Sequence, residues 1–190
     1  ISASATGFYG DGGERVLDEA SPLGTGFLAE VCAVWEAAAD PARSAGIRVV
    51  HPRFGIVLSA EGGALAKMLT PFKMGVGGRI GSGEQFMSWV HIDDVATSLV
   101  HAIHGEQSGP MNVVSPNPVT NAEFTKALGE ALRRPTFMPL PRFAAKLALG
   151  SEMAEEMLIA SQRVLPTALE TSGFAFAYPT ISEALAALEL

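Results

Sequence analysis

Apolar positions along this chain follow two rhythms, helical spacing and short unbroken runs, and their alternation predicts an α/β protein. Between Gly26 and about Ala39, Phe27, Val31, Val34 and Trp35 recur at three- and four-residue steps, which predicts a helix presenting that stripe to a core. Asp40-Pro41 ends or kinks it. Two apolar runs follow, Ile47–Val50 and Phe54–Leu58, divided by His51-Pro52-Arg53; the first suits a parallel strand. Gly63 to Phe72 reads as a second helix and Gly75 to Gly83 as a glycine-dense loop. Phe86 to Ile92 reads as a strand running straight into a helix whose start carries Asp93 and Asp94, where the helix dipole favours carboxylates. Met111–Val114 reads as a strand, and Asn121–Leu132 as a helix capped by Thr120 or Asn121. Beyond Arg134, prolines 135, 139 and 141 punctuate short segments. A helix from Pro141 to Leu149, another over Glu152–Ala160 and a last one from Ile181 to Leu188 are expected there. The division that results is residues 1–134 and a small helical appendage, 135–190.

Composition narrows the class. The chain is 48% hydrophobic and 17% charged, which suits a buried α/β sheet and not a disordered chain. A net charge of −7 without a basic run argues against nucleic acid as a partner. One cysteine precludes an internal disulfide framework, and no apolar run has the length to span a bilayer. A cytoplasmic location is the expectation.

The chemistry concentrates at the start. Ser2-Ala3-Ser4-Ala5-Thr6-Gly7-Phe8-Tyr9-Gly10 reads as a strand end opening into a glycine loop. Its local explanation is a strand terminus capped by hydroxyls. Together with Trp89-Val90-His91-Ile92-Asp93-Asp94, Ile80-Gly81-Ser82-Gly83 and Val114-Ser115-Pro116, it resembles the extended short-chain dehydrogenase/reductases. More narrowly, the chain resembles the atypical, NAD-dependent epimerase-like subgroup with a C-terminal domain of unknown function. The resemblance implies the C-terminal half of a Rossmann-type parallel sheet with a small, mostly helical appendage. It also implies a bound NADP or NAD, with NADP preferred, lying across the carboxyl ends of the strands. Ser4 would be the catalytic hydroxyl and Thr6 would face substrate. Ser2 and the segment Pro52, Arg53, Phe54, Gly55 and Ile56 would pass the cofactor. The Gly-rich dinucleotide turn is not among these residues, so the chain by itself is expected to associate and not to bind dinucleotide.

The family's acid–base pair is a Tyr and a Lys four residues later, which share a helix face. Counting back from Glu36 puts Cys32 at the Lys position and Leu28 at the Tyr position, and neither can exchange a proton as that pair does. Tyr9 is the remaining tyrosine near the segment, either a substitute proton donor or a structural loop residue. In place of the arginine that grips pyrophosphate in nucleotide-sugar relatives stands Met87. Arg79 either takes over from the glycine loop or is a solvated loop residue. His91 and Asp94 could pass for a metal pair, but no third ligand has suitable spacing and a backbone-bonding strand–helix junction is the preferred reading, with no metal. The expected function is therefore an NADP(H)-binding atypical oxidoreductase or epimerase-like enzyme acting on a small molecule, possible as a homodimer. The alternatives are a catalytically lapsed cofactor-binding sensor or scaffold for a protein partner, and an interaction module without nucleotide.

Overall fold

The structure is a computed structural model describing residues 1–141 and 155–190. The helix expected over Pro141–Leu149 and the start of the one over Glu152–Ala160 lie outside the described residues. The elements run β1 (Ser4–Ala5), a 3-10 turn (Thr6–Tyr9), β2 (Val16–Leu17), α1 (Phe27–Ala37), α2 (Asp40–Ser44), β3 (Val50–Phe54), β4 (Ile56–Leu58) and α3 (Gly63–Lys73). They continue with β5 (Phe86–Met87), β6 (Trp89–His91), α4 (Ile92–His104), β7 (Gly109–Val113), β8 (Val119–Thr120) and α5 (Asn121–Leu132). After a π-helical turn at Glu155–Ile159 come β9 (Arg163–Val164), a short helix Thr167–Thr171 and the C-terminal helix Ile181–Ala187.

The pairing that positions the site is parallel. β3 lies between β1 and β7, with Ser4 opposite Arg53 and Arg53 opposite Asn112. Here the strand departs from the expected breaks: Ile47 is exposed, Val50–Phe54 runs through Pro52, and the interruption falls at Gly55. Pro52 is tolerated because successive residues of a parallel strand address opposite neighbours. Val50 accepts from Ser2 N, so Pro52, of the same parity, turns its hydrogen-free nitrogen toward β1, where that strand is only beginning. Gly55 breaks the strand because a Cβ there would stand 2.5 Å from Ser88 O. That closeness lets β4 leave β7's side and pair in parallel with β6. The expected strand Phe86–Ile92 is likewise split at Ser88, whose Oγ accepts from Val164 N at 2.9 Å and donates to Gln162 O at 2.7 Å. Helix α4 is capped by His91, with Asp93 and Asp94 in its first turn.

Two apolar clusters sandwich the sheet. Leu58, Leu65, Phe72, Trp89, Phe124, Leu128 and Leu185 form one, and Val50, Val90, Ala102, Met111, Val113 and Leu169 the other. Leu169 and Leu185 carry residues 155–190 into both. Helix α1 reverses its expected orientation. Phe27, Val34 and Trp35 are more than half exposed, and the buried positions are Ala29 and Cys32. Small residues on that face let the helix approach β1 and the 3-10 turn closely, which larger side chains would prevent.

Candidate active site

The close approach of α1 to the sheet brings Glu36 over the carboxyl ends of β1 and β3. Arg53 donates through Nε to Glu36 Oε1 at 2.8 Å and through Nη2 to Oε2 at 2.9 Å, a two-pronged pair whose side chains are 4% and 14% exposed. Its third prong, Nη1, donates to the Tyr9 hydroxyl at 2.9 Å, and its guanidinium lies 3.5 Å from the Phe8 ring centroid. Ser4 Oγ donates to Glu36 Oε1 at 2.8 Å.

The proton directions in this chain are fixed by chemistry. A guanidinium only donates, so Tyr9 must accept from Arg53 and pass its own proton to Asn112 Oδ1, 2.7 Å away. Asn112 Nδ2 then donates to Leu165 O at 2.9 Å, which ties the network to the C-terminal region. Burial pushes the Glu36 carboxyl upward, but the bonds from Arg53 and Ser4 and the guanidinium charge outweigh it and hold it below the usual carboxylate value. Burial pushes the Tyr9 phenol and the Cys32 thiol up, so both remain protonated at neutral pH.

Beside this network lies a cavity of about 130 Å³, walled by Gly7, Gly10, Asp11 and Leu28 and, from the C-terminal region, Glu156 and Gln162. Leu28 thus lines it with an apolar side chain where the expected alignment places the Tyr of the dyad. Thr6 Oγ1 donates to Gln162 Oε1 at 2.8 Å, and Gln162 Nε2 donates to Gly10 O at 3.2 Å. The Glu156 carboxylate accepts from the first two amides of α1, Phe27 N at 2.8 Å and Leu28 N at 2.7 Å.

The expected site residues divide into three groups. Ser4, Tyr9 and Arg53 come together in the buried network, with Tyr9 and Arg53 directing their polar groups into the protein; Thr6, itself buried, holds Gln162, which lines the cavity. Ser2 lies just before β1, Pro52 and Phe54 on β3, Gly55 at the strand break and Ile56 at the start of β4. Arg79 is exposed on the glycine loop, and Met87 packs against the first apolar cluster and takes a hydrogen bond from Asn121 Nδ2. His91 and Asp94 form the backbone-bonding junction: His91 Nδ1 accepts from Asp93 N, and Asp94 accepts from Ala177 N and Tyr178 N. Sequence reasoning used Glu36 only as a counting mark and missed Asn112, Glu156 and Gln162. The spacing of Glu36 four residues after Cys32 was a usable signal; Glu156 and Gln162 lie too far along the chain for any local pattern to connect them.

Comparison with known proteins shows what the chain is similar to. An epimerase family protein of Mycobacterium leprae is 50% identical over 186 residues, covering 97% of this chain and 60% of the relative. The chain is a homologue of the epimerase family proteins, of the atypical short-chain dehydrogenase/reductase type, over part of their length. Residues 140–188 match a domain of unknown function, DUF1731, so Glu156 and Gln162 are that domain's contribution to the cavity. The crystal structure of the human epimerase family protein SDR39U1 with NADPH superimposes with a TM-score of 0.91 at 36% identity, covering 98% of this chain and 63% of that one. UDP-glucose 4-epimerase of Thermus thermophilus, at 20% identity and a TM-score of 0.78, shares the Rossmann-type fold. The chain spans about three-fifths of the length of these relatives. A family relative in Arabidopsis thaliana is named as chloroplastic. Among the described residues no helix is long and apolar enough to cross a membrane.

Proposed function

We propose that the full-length protein binds NADP(H) and carries out oxidoreductase or epimerase-like chemistry on a small molecule held in the cavity between the 3-10 turn and the C-terminal domain. The observation that carries this reading is Ser4, buried at the carboxyl end of β1 and fixed by Glu36, on the segment that continues into Gly7 and Gly10 of the cavity wall. The similarity to a relative crystallised with NADPH supports the cofactor. The strand ends fit the nicotinamide side of such a cofactor: β1 and β3 run in register and parallel, so Ala5 and Phe54 end together on one rim, as dinucleotide sites require. When bound, the nicotinamide supplies a hydride donor or acceptor. This chain's residues shape the pocket around the reacting molecule. Ser4 offers an oxygen in a fixed orientation, Leu28 and Gly7 wall the cavity, and Gln162 holds the domain closed over Thr6. The partner in this reading is a small molecule and not nucleic acid, and the outward Val34 and Trp35 of α1 support a homodimer.

A second reading, a cofactor sensor without turnover, is favoured by one observation. Leu28 and the protonated Cys32 leave the dyad positions without an acid–base pair. Titration with NADPH and NADH, followed by nicotinamide fluorescence and melting temperature, tests the cofactor. The expected result is saturable binding that prefers NADPH. Slow NADPH consumption with a panel of small carbonyls, lost in Ser4→Ala, supports the enzyme; binding without any consumption supports the sensor, and no binding overturns both.

A further inference from the structure

Among the described residues, two helices close their own N-termini with a local pair. Thr120 with Glu123 and Thr180 with Glu183 form capping boxes at α5 and at the C-terminal helix. Helix α1, like α3, has a glycine at its cap and no capping side chain of its own, but its first two amides are taken by Glu156, a carboxylate from 129 residues away. The glycine is fitted to that visitor, since a Cβ at Gly26 would stand 2.8 Å from Glu156 Oε1. This remote carboxylate also lines the cavity, directly beside Leu28. Each of its oxygens accepts one backbone hydrogen, and a carboxylate has about four lone-pair sites, so capacity remains on both.

Two buried hydroxyls outside the cavity wall, on the segment that leads into it, have the same bias. Ser4's proton is committed to Glu36 and Thr6's to Gln162, so both oxygens can only accept. Glu156 and Asp11 are acceptors as carboxylates. Side-chain donors among the described cavity residues reduce to Thr25 and the second hydrogen of the Gln162 amide, the other donors being backbone amides, and the described lining contains no cation.

We propose that Glu156 is the specificity-determining residue of this cavity, receiving a hydroxyl or ammonium donor of a small, uncharged or cationic substrate, and that phosphorylated substrates are disfavoured. The inference rests on the proposed function and names the substrate class for the same site. A volume near 130 Å³ suits such a ligand, since a cavity of about 150 Å³ holds a six-membered ring.

The test uses the full-length protein saturated with NADPH, with NADPH binding and melting temperature recorded on each variant. Erythritol, ethanolamine and erythritol 4-phosphate are titrated by calorimetry and ligand-observed NMR. Erythritol distinguishes a hydroxyl ligand, and ethanolamine an ammonium one. The expected result is saturable binding of erythritol or ethanolamine at least tenfold tighter than that of the phosphate, and weakened at least tenfold in Glu156→Gln. The glutamine variant keeps length and one acceptor for the helix, so it separates lost recognition from the lost fold that Glu156→Ala could bring. The inference is overturned if the phosphate binds as well as its parent alcohol. It is equally overturned if neither neutral nor cationic probe saturates to tens of millimolar, or if Glu156→Gln binds like the wild type. Failure to bind NADPH is a separate result that removes the underlying reading itself.

Discussion

Helices α1 and α5 have nearly the same length, 11 and 12 residues, and opposite construction. α5 is self-sufficient: Thr120 and Glu123 close its first turn, and Phe124, Thr125 and Leu128 face the core. α1 has no cap of its own, buries only Ala29 and Cys32, and turns Phe27, Val34 and Trp35 outward. What holds α1 is polar and remote, Arg53 at one end and Glu156 at the other. The helix beside the candidate site is thus held by distant polar groups, whereas α5, which fills the core, relies on its own sequence.

The comparison can be broken at its strongest point. Arg53→Met leaves the Glu36 carboxylate buried without its partner and is expected to destabilise by about 3–5 kcal/mol; adding Glu36→Gln should return much of that loss. Urea denaturation of the single and double variants reads both. On α5, Phe124→Ala is expected to cost a similar 3–5 kcal/mol, from packing alone, and no second substitution of a charged residue should rescue it. Removing the local cap with Thr120→Ala should cost about 1 kcal/mol. Acid sharpens the same contrast. Because the Glu36 carboxyl is held below its ordinary value in the folded state, its contribution is complete above the unfolded value of about 4.3 and is lost as pH falls through the lower folded one. The wild-type urea midpoint should fall between pH 6 and pH 3 by more than that of the Glu36→Gln, Arg53→Met variant. The smallest effect is expected on the outer face. Val34→Asp and Trp35→Asp should change stability by less than about 0.5 kcal/mol while lowering any self-association seen by sedimentation, which would separate that face from the core.

The difference between the two helices also explains what was legible in the sequence. α5 was readable to within one residue of its cap, with Thr120 and Asn121 both in view, because the threonine, the glutamate and the apolar positions lie in the helix or directly before it. The extent of α1 was readable too, but its orientation was not. Periodicity identifies an apolar stripe, not whether that stripe meets a core, and here the need to seat Glu36 over Arg53 decided the orientation. Around β3 the sequence misled in a similar way. Pro52 reads locally as a break, and only its parity within the sheet shows that its missing hydrogen faces the start of β1, while the obstacle at Gly55 belongs to Ser88, between β5 and β6. Ser4 and Thr6 were legible from the motif at the start. Their hydrogen-bond directions were not, because the partners lie 32 and 156 residues away.

That last separation has a kinetic side. β2 pairs with β9 through Val16 and Arg163, and the cavity cannot close until residues near both ends of the chain have met. Contacts of such long sequence separation carry a large loop-closure entropy and form late in folding. The cavity wall should therefore be absent from the folding transition state: Gln162→Ala should leave the folding rate nearly unchanged and appear in the unfolding rate. The pocket would then be the last feature gained when the chain folds and the first given up when it opens.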